Sequence, residues 1–317
     1  MDDEVTHTEI HPVSESDGPR RNWSLVALIL AACTGLGLCL GLILLSGGSL
    51  APSQYPSTSD AIVSESPPAP SSLRHLPTNP KALEFFVGPR QTRLQLTFIP
   101  GGSCNVGSLP DADLDPQGFE LPRHEVTVAP FYMALTETTQ AQFEAVMSLN
   151  PSASKGHLRP VEMVSWQDAV EFCAALSAIT HRTFRLPSET EWEHACRAGS
   201  PWPYYYGQDS RRADDHAWSA RNAVYGVQEV GLKIPNRFGL YDMLGNIWEW
   251  VADPWHSNYE GAPSDGSVWS EGGEHLRYTA RGGGAIVNSP EECRCSGRST
   301  LDIPSAPDHG FRVVCEL

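Results

Sequence analysis

The longest uninterrupted apolar stretch runs from Trp23 to Leu45, and no charged side chain occurs between Arg21 and Asp60. At about 1.5 Å of rise per residue a helix of that length reaches roughly 34 Å, enough to span a hydrocarbon core of about 30 Å. The pattern predicts a transmembrane helix over 23–45. Further on the period changes. Leu94, Leu96 and Phe98 alternate with polar residues and predict a strand over Leu94–Ile99, ended by Pro100-Gly101-Gly102; a second short strand is predicted over Glu125–Val128. Three helices are announced by capping boxes: Thr139-x-x-Gln142 ahead of Phe143, Val146 and Met147; Ser165-x-x-Asp168 with Trp166, Ala169, Val170 and Cys173 on one face; and Ser188-x-x-Glu191 with Trp192, Ala195 and Cys196 at helical spacing. Asn150-Pro151 stops the first. Beyond Arg197 no long periodic segment is visible, so the pattern predicts an α+β domain with much irregular backbone.

The flanks of the apolar run give it a direction. Arg20 and Arg21 precede it and the first basic residue after it is Arg74, so the positive-inside rule places the acidic tail, residues 1–22, in the cytoplasm and the C-terminal part outside it. A single-pass membrane protein with an extracytoplasmic main domain is expected. The competing reading is a lipoprotein processing box at Leu30-Ala31-Ala32-Cys33; against it, the apolar run continues past Cys33 and the preceding segment is acidic. Nine Ser and seven Pro among residues 46–80, with few large apolar side chains, mark a tether over 46–85, and the remaining domain is expected over 90–317.

Composition narrows the function. With 22 Lys plus Arg against 38 Asp plus Glu the formal net charge is −16, and no basic run occurs, which excludes a phosphate-tracking surface for nucleic acid. Glycine (27) and proline (26) are abundant, as a loop-rich fold requires. Of the 11 histidines only His7 and His11, in the acidic tail, stand at His-x-x-x-His spacing; within 90–317 no two stand at that spacing or at His-x-His, and no nucleophile elbow, phosphate loop or dinucleotide fingerprint is present. Aromatic residues cluster at Trp202–Tyr206 and Trp248–Trp255; they either line a binding groove or form core.

An ordered set of segments resembles one family. These are Phe98-Ile-Pro-Gly-Gly102, Val126-Thr-Val128 with Glu137-Thr-Thr-Gln140, Pro160-Val161 with Val164-Ser-Trp166, Arg185-Leu-Pro-Ser-Glu-Thr-Glu-Trp-Glu193, Pro235 to Trp250, Arg281-Gly-Gly283 and Gly310-Phe-Arg-Val313. In this order, over nearly all of 96–314, they resemble the formylglycine-generating enzymes, also called sulfatase-modifying factors. The resemblance implies a variant C-type-lectin-like fold within the α+β class. It also implies an activity: copper-dependent oxidation, by O2, of a sulfatase cysteine to formylglycine, with the soft metal held by two cysteines.

The chain departs from that pattern where the chemistry would sit. Aligned on Gly282-Gly283, Gly284 stands at the family serine, Val287 at the first copper cysteine and Glu292 at the second. Valine cannot ligate copper. A slip of one residue brings Cys293 to the second position but nothing to the first. The resemblance therefore implies a non-catalytic binding or scaffold module with a protein or peptide ligand; the alternative is an active oxidase or sulfatase activator with a rearranged site at Cys293 and Cys295. Alternate residues of an extended strand point to opposite faces, which opposes joint ligation by that pair. A different enzyme on the same scaffold is a third reading.

Two further expectations come only from the resemblance. Disulfides would join Cys173 to Cys315 and Cys196 to Cys295, although Cys293 could replace Cys295, Cys315 lies two residues beyond the family position, and buried reduced thiols are the competing reading for Cys173. A structural calcium ion would be held by Asp242 and Glu249 and the carbonyls of Gly245 and Ile247, a mixture of hard oxygens that suits Ca2+. The competing reading is that Asp242 and Glu249 satisfy turn amides.

Overall fold

The computed structural model describes residues 82–109, 115, 117–224, 226–286, 288–301 and 305–317. The acidic tail, the apolar run 23–45 and most of the tether fall outside the described residues, as does Val287. No helix among the described residues is long and apolar enough to cross a membrane.

The chain enters through a hairpin, β1 (Leu83–Val87) and β2 (Thr92–Ile99), paired antiparallel from Leu83↔Leu96 to Val87↔Thr92. β1 lies in residues that the composition assigned to tether and domain edge. Its alternation is masked because Phe86 points outward while Phe85 packs edge-on against Phe184, ring centroids 5.3 Å apart. Then follow β3 (Gly102–Val106) and β4 (His124–Val128), which pair with each other, and β5 (Phe131–Ala134). The next elements are α1 (Gln140–Met147), α2 (Trp166–Thr180), β6 (Phe184–Arg185) and α3 (Glu189–Arg197). A 3-10 turn (Ser210–Arg212) and α4 (Ala213–His216) lead into a long irregular stretch. It ends at β7 (Trp248–Pro254), β8 (Tyr278–Arg281), β9 (Arg298–Thr300), β10 (His309–Gly310) and β11 (Val314–Cys315).

All three capping boxes are present: Thr139 with Gln142, Ser165 with Asp168 and Ser188 with Glu191 each exchange side-chain and backbone hydrogen bonds. Each helix stops at a residue in the left-handed region, Ser148, His181 and Ala198. The sheets are ordered β1-β2-β5-β11-β6 and β10-β7-β8-β9. Along the first sheet successive side chains go to opposite cores, as the period of two requires. Leu96, Ala134, Val313 and Cys315 face α1 and α2, where Phe143, Phe172 and Phe311 meet; Met133 and Val314 face the other core, around Trp192 of α3. Trp248, Trp250 and Trp255 are buried, so that aromatic cluster is core, whereas Trp202 is exposed. The second sheet was invisible to periodicity because β7 is buried on both faces except at Ala252 and Pro254.

Candidate functional site

Every residue of α3 is buried, although Glu189, Glu191, Glu193, His194 and Arg197 are polar. Their burial costs too much unless each charge is matched, and the matching organises the site. Arg281, at the end of β8, is fully buried. It donates to Glu189 (3.3 Å) and Glu193 (2.5 Å) of the helix and to the carbonyls of Cys295 (2.7 Å) and Ser296 (3.0 Å), with its guanidinium 5.2 Å from the Trp192 ring. Arg298 forks onto Glu189 at 2.8 and 2.7 Å; Arg197 bonds Glu193 at 2.8 Å. The segment 281–298 is thus fastened to α3 from beneath at both ends. The two arginines at those ends were not singled out from sequence. The signal for them was present: two glutamates one helical turn apart, at 189 and 193, facing an apolar core.

The glycine turn rises from Arg281. Gly282 and Gly283 have φ of +98° and +86°, and a Cβ on Gly283 would stand 2.8 Å from the Cys293 sulfur. At Gly284, where the family serine would stand, a Cβ would meet the Asp308 carboxylate at 2.7 Å and the Trp248 ring at 3.2 Å. Asp308 is buried and its carboxylate is hydrogen-bonded to Nδ1 of the adjacent His309 at 2.9 Å, which holds it in place. Glu292, at the second cysteine position, is exposed, and its carboxylate accepts from the Ser289 amide at 2.7 Å. It serves a turn.

The thiols are arranged inwardly. Cys293 is 1% exposed, and burial, then Glu292, pushes its thiol up to about 12, so it stays protonated. Cys295 is fully buried and its side chain is hydrogen-bonded to that of Cys196, whose own thiol burial pushes well up. Cys293 packs on Gly283 and Cys295 on Cys196, so the pair does not converge. The expected disulfides are not formed in this structure, where Cys173, Cys196, Cys295 and Cys315 are free thiols. Cys196 and Cys295 do come together; Cys173 and Cys315 share one apolar cluster, as small hydrophobes. Among the described residues no three His, Cys, Asp or Glu side chains form a group able to hold a metal ion.

In the calcium segment, Asp242 is buried with φ +54°; Oδ2 accepts from the Gly231 amide at 2.6 Å and Oδ1 has no partner. Burial pushes its carboxyl up to about 6. Gly245, φ +80°, is enforced sterically, because a Cβ there would stand 2.0 Å from the Trp218 carbonyl oxygen. Its amide donates to the Gly282 carbonyl at 2.8 Å, and Ile247 is core. Glu249 is already committed. Both its oxygens accept from Arg312 at 2.6 Å, and Oε2 also takes the Trp192 indole at 2.8 Å. Glu137, which the sequence reading quoted only within a motif, belongs here: Oε1 accepts from Asn246 at 3.1 Å, Oε2 is buried without a partner, and burial and then the Asp242 charge raise its carboxyl well above the usual range. The four-residue set therefore fits calcium only in part. Asp242 offers a hard oxygen, as does Glu137, while Glu249 neutralises an arginine.

Comparison with known proteins bears on all of this. A family model described as the sulfatase-modifying factor enzyme 1-like domain matches residues 84–317. The chain is 30% identical over 240 residues to "Chaperone protein LppX" of Paenibacillus barcinonensis, covering 60% of this chain and 81% of that protein. It is 32% identical over 179 residues to the formylglycine-generating enzyme of Bos taurus (47% of this chain, 44% of that protein). It is 33% identical over 148 residues to the inactive C-alpha-formylglycine-generating enzyme 2 of the same organism (42% and 46%). The chain thus spans under half the length of these bovine relatives. Among solved structures, PvdO from Pseudomonas aeruginosa matches with a TM-score of 0.64 and 32% identity, over 70% of this chain and 94% of that one.

Proposed function

The chain belongs to the sulfatase-modifying factor family, and from that premise we propose that it is a member without copper-dependent oxidase chemistry, serving as a binding or scaffold module for a protein or peptide. One observation carries the reading: the place of the family serine is filled, because the buried Asp308 carboxylate lies 2.7 Å from where a Cβ on residue 284 would be. The thiols nearby support it. Cys293 is packed on Gly283 and protonated; against its burial, the Cys196 hydrogen bond and the Arg197 charge hold the Cys295 thiol below its ordinary value, but its sulfur is fully buried on Cys196, so neither cysteine offers an open thiolate. The family holds both active enzymes and a relative named inactive, so loss of chemistry on this scaffold has a precedent. The relative named a chaperone, matched over most of its length, supports a polypeptide as the partner.

The test is direct. The full chain is incubated with Cu(I), O2 and a Cys-x-Pro-x-Arg peptide, and the peptide is analysed by mass spectrometry. The thiol is expected to persist; an aldehyde at that cysteine, lost again in a C293S/C295S variant, would establish the rearranged oxidase instead.

Two subsidiary proposals accompany this one. A structural calcium ion would draw on Asp242 and Glu137 with backbone carbonyls, not on Glu249; metal analysis of the purified chain and of D242N tests it, and no calcium in either removes it. The apolar run 23–45 anchors the chain with residues 82–317 on the extracytoplasmic side. Protection of the domain from protease added outside intact cells would reverse that orientation.

A further inference from the structure

The band of buried charge beneath the glycine turn continues on the side of Gly107 and Glu120 and reaches the surface there. Gly107 and Glu120 both meet the buried arginines: the Gly107 amide donates to Glu193 at 3.0 Å, Arg197 donates to the Gly107 carbonyl at 3.1 Å, and Arg294 forks onto Glu120 at 2.7 Å through both nitrogens. Within this band Arg197, Arg281, Arg294 and Arg298 are held by three carboxylates, those of Glu120, Glu189 and Glu193. The cations are already in excess where the band reaches the surface. There stands a fifth, Arg123, just before β4. It forms no ion pair among the described residues, its Nε is buried without a hydrogen-bond partner, and the charges that act on it are those of Arg197 and then Glu193, a carboxylate already bonded to Arg197 and Arg281.

Arg123 separates two concavities. On one side is a small cavity of about 50 Å³ whose wall includes Arg123, Arg197, Arg294, Ser108 and Trp202. The Ser108 hydroxyl, on a residue 6% exposed, also has no partner. On the other side is an open cavity of about 580 Å³, bordered by Asn105, Leu121, Pro122, Asn258 and Glu260 in addition to Arg123. Two unpartnered donors, one of them cationic, converge beside two further guanidiniums in a chain whose overall charge is −16. Buried donors without acceptors and a local excess of like charge are both costly, and one oxyanion relieves both. Glu120 takes that role for Arg294; among the described residues no carboxylate pairs with Arg123.

We propose that Arg123 and Ser108 form a binding site for a small-molecule oxyanion group, a carboxylate, phosphate or sulfate, with the body of the ligand lying in the larger cavity against Asn105 and Asn258. Glu260 on that side selects against a second negative charge at the far end of the ligand. The site does not involve Gly284 or Asp308, so it stands or falls independently of the oxidase question.

The full chain is titrated calorimetrically at fixed ionic strength with inorganic phosphate, inorganic sulfate, acetate, N-acetylglycine and succinate. Saturable binding of at least one of the first four is expected, with N-acetylglycine favoured over succinate if the ligand is a carboxylate. R123Q is expected to weaken that binding by about tenfold or more, while R211Q, at an exposed arginine paired with Asp209, leaves it unchanged. Should R123Q not fold, R123K and S108A take its place: the first keeps charge but loses the planar fork, and each is expected to weaken binding by at least about threefold. Absence of saturable binding in the wild-type chain overturns the proposal, as does equal affinity in wild type and in whichever of these variants folds.

Discussion

At Gly245 the backbone has φ +80° and the nearest neighbour of a hypothetical Cβ is the Trp218 carbonyl oxygen, at 2.0 Å. Neither term can relax, because Trp218 and Gly245 are bridged and the Asn246 amide donates to that same carbonyl at 2.8 Å. Gly245→Ala is therefore expected to cost at least about 3 kcal/mol, from the left-handed conformation and the backbone collision together, or to prevent folding. Urea unfolding measures it. Gly284 makes a contrasting case: its Cβ would meet the end of a side chain, Asp308, rather than backbone. Gly284→Ser alone should destabilise the chain by roughly 1–3 kcal/mol through crowding, and adding Asp308→Asn should recover part of that, since an amide can hydrogen-bond the new hydroxyl without a buried charge beside it. If the double variant is no more stable than G284S, the Asp308 carboxylate is not what fills the position.

Among the elements, α1, α2 and α3 share one capping grammar, yet their caps are set in different surroundings. The Ser165 hydroxyl serves only its own helix. Ser188 is buried; its hydroxyl takes the Glu191 amide at 3.1 Å and donates to the Gly266 carbonyl at 2.8 Å, while Glu191 returns to the Ser188 amide and forks onto Arg185. Ser188→Ala thus strands two backbone groups where Ser165→Ala strands one that water can reach. Losses of about 2 kcal/mol or more and of about 1 kcal/mol are expected, in that order, by chemical denaturation. These caps are why the helices were legible from sequence: Ser or Thr followed three residues later by Gln, Asp or Glu is local information. So was the strand β2. β1, β7 and β8 were not legible, because their burial is decided by distant partners, Phe184 for Phe85 and Pro187 for the Ala252 amide. The candidate site divides the same way. Gly284 and Glu292 could be read from motif alignment, whereas Asp308 at Gly284, Arg281 under the turn, and Arg312 on Glu249 join residues far apart in the chain. The sequence pairing of Cys196 with Cys295 located a contact but not a bond.

On the scale of the whole molecule, and among the described groups that titrate between about pH 4 and pH 8, the buried carboxyls that gain a proton on folding outnumber the one histidine, His216, that loses one. Burial, and secondarily the Glu189 charge, pushes Asp253 up to about 7, and burial pushes Asp242 up to about 6; Glu137 and Glu162 move in the same direction, chiefly through burial. For such groups the folded state holds a proton that the unfolded chain, titrating near its ordinary carboxylate value, has released. Their stabilisation is complete below about pH 4 and is lost as pH rises through the folded values. His216, depressed by burial, works the other way near neutrality, and Glu193, depressed by Arg197 and Arg281 against its burial, works the other way only below the ordinary range. The balance predicts that unfolding requires more urea at pH 5 than at pH 8. Asp253 is the group on which to test this, since its carboxylate ties two distant segments together by accepting from the Glu189 amide at 2.7 Å and the Trp269 amide at 2.8 Å. Asp253→Asn cannot accept both bonds and should lose stability at every pH. Because it does not titrate, its stability should also fall less steeply between pH 5 and pH 7, by on the order of 2 kcal/mol over that interval. Parallel curves for wild type and variant would mean that Asp253 is ionised throughout, with Arg298 rather than a proton balancing its charge.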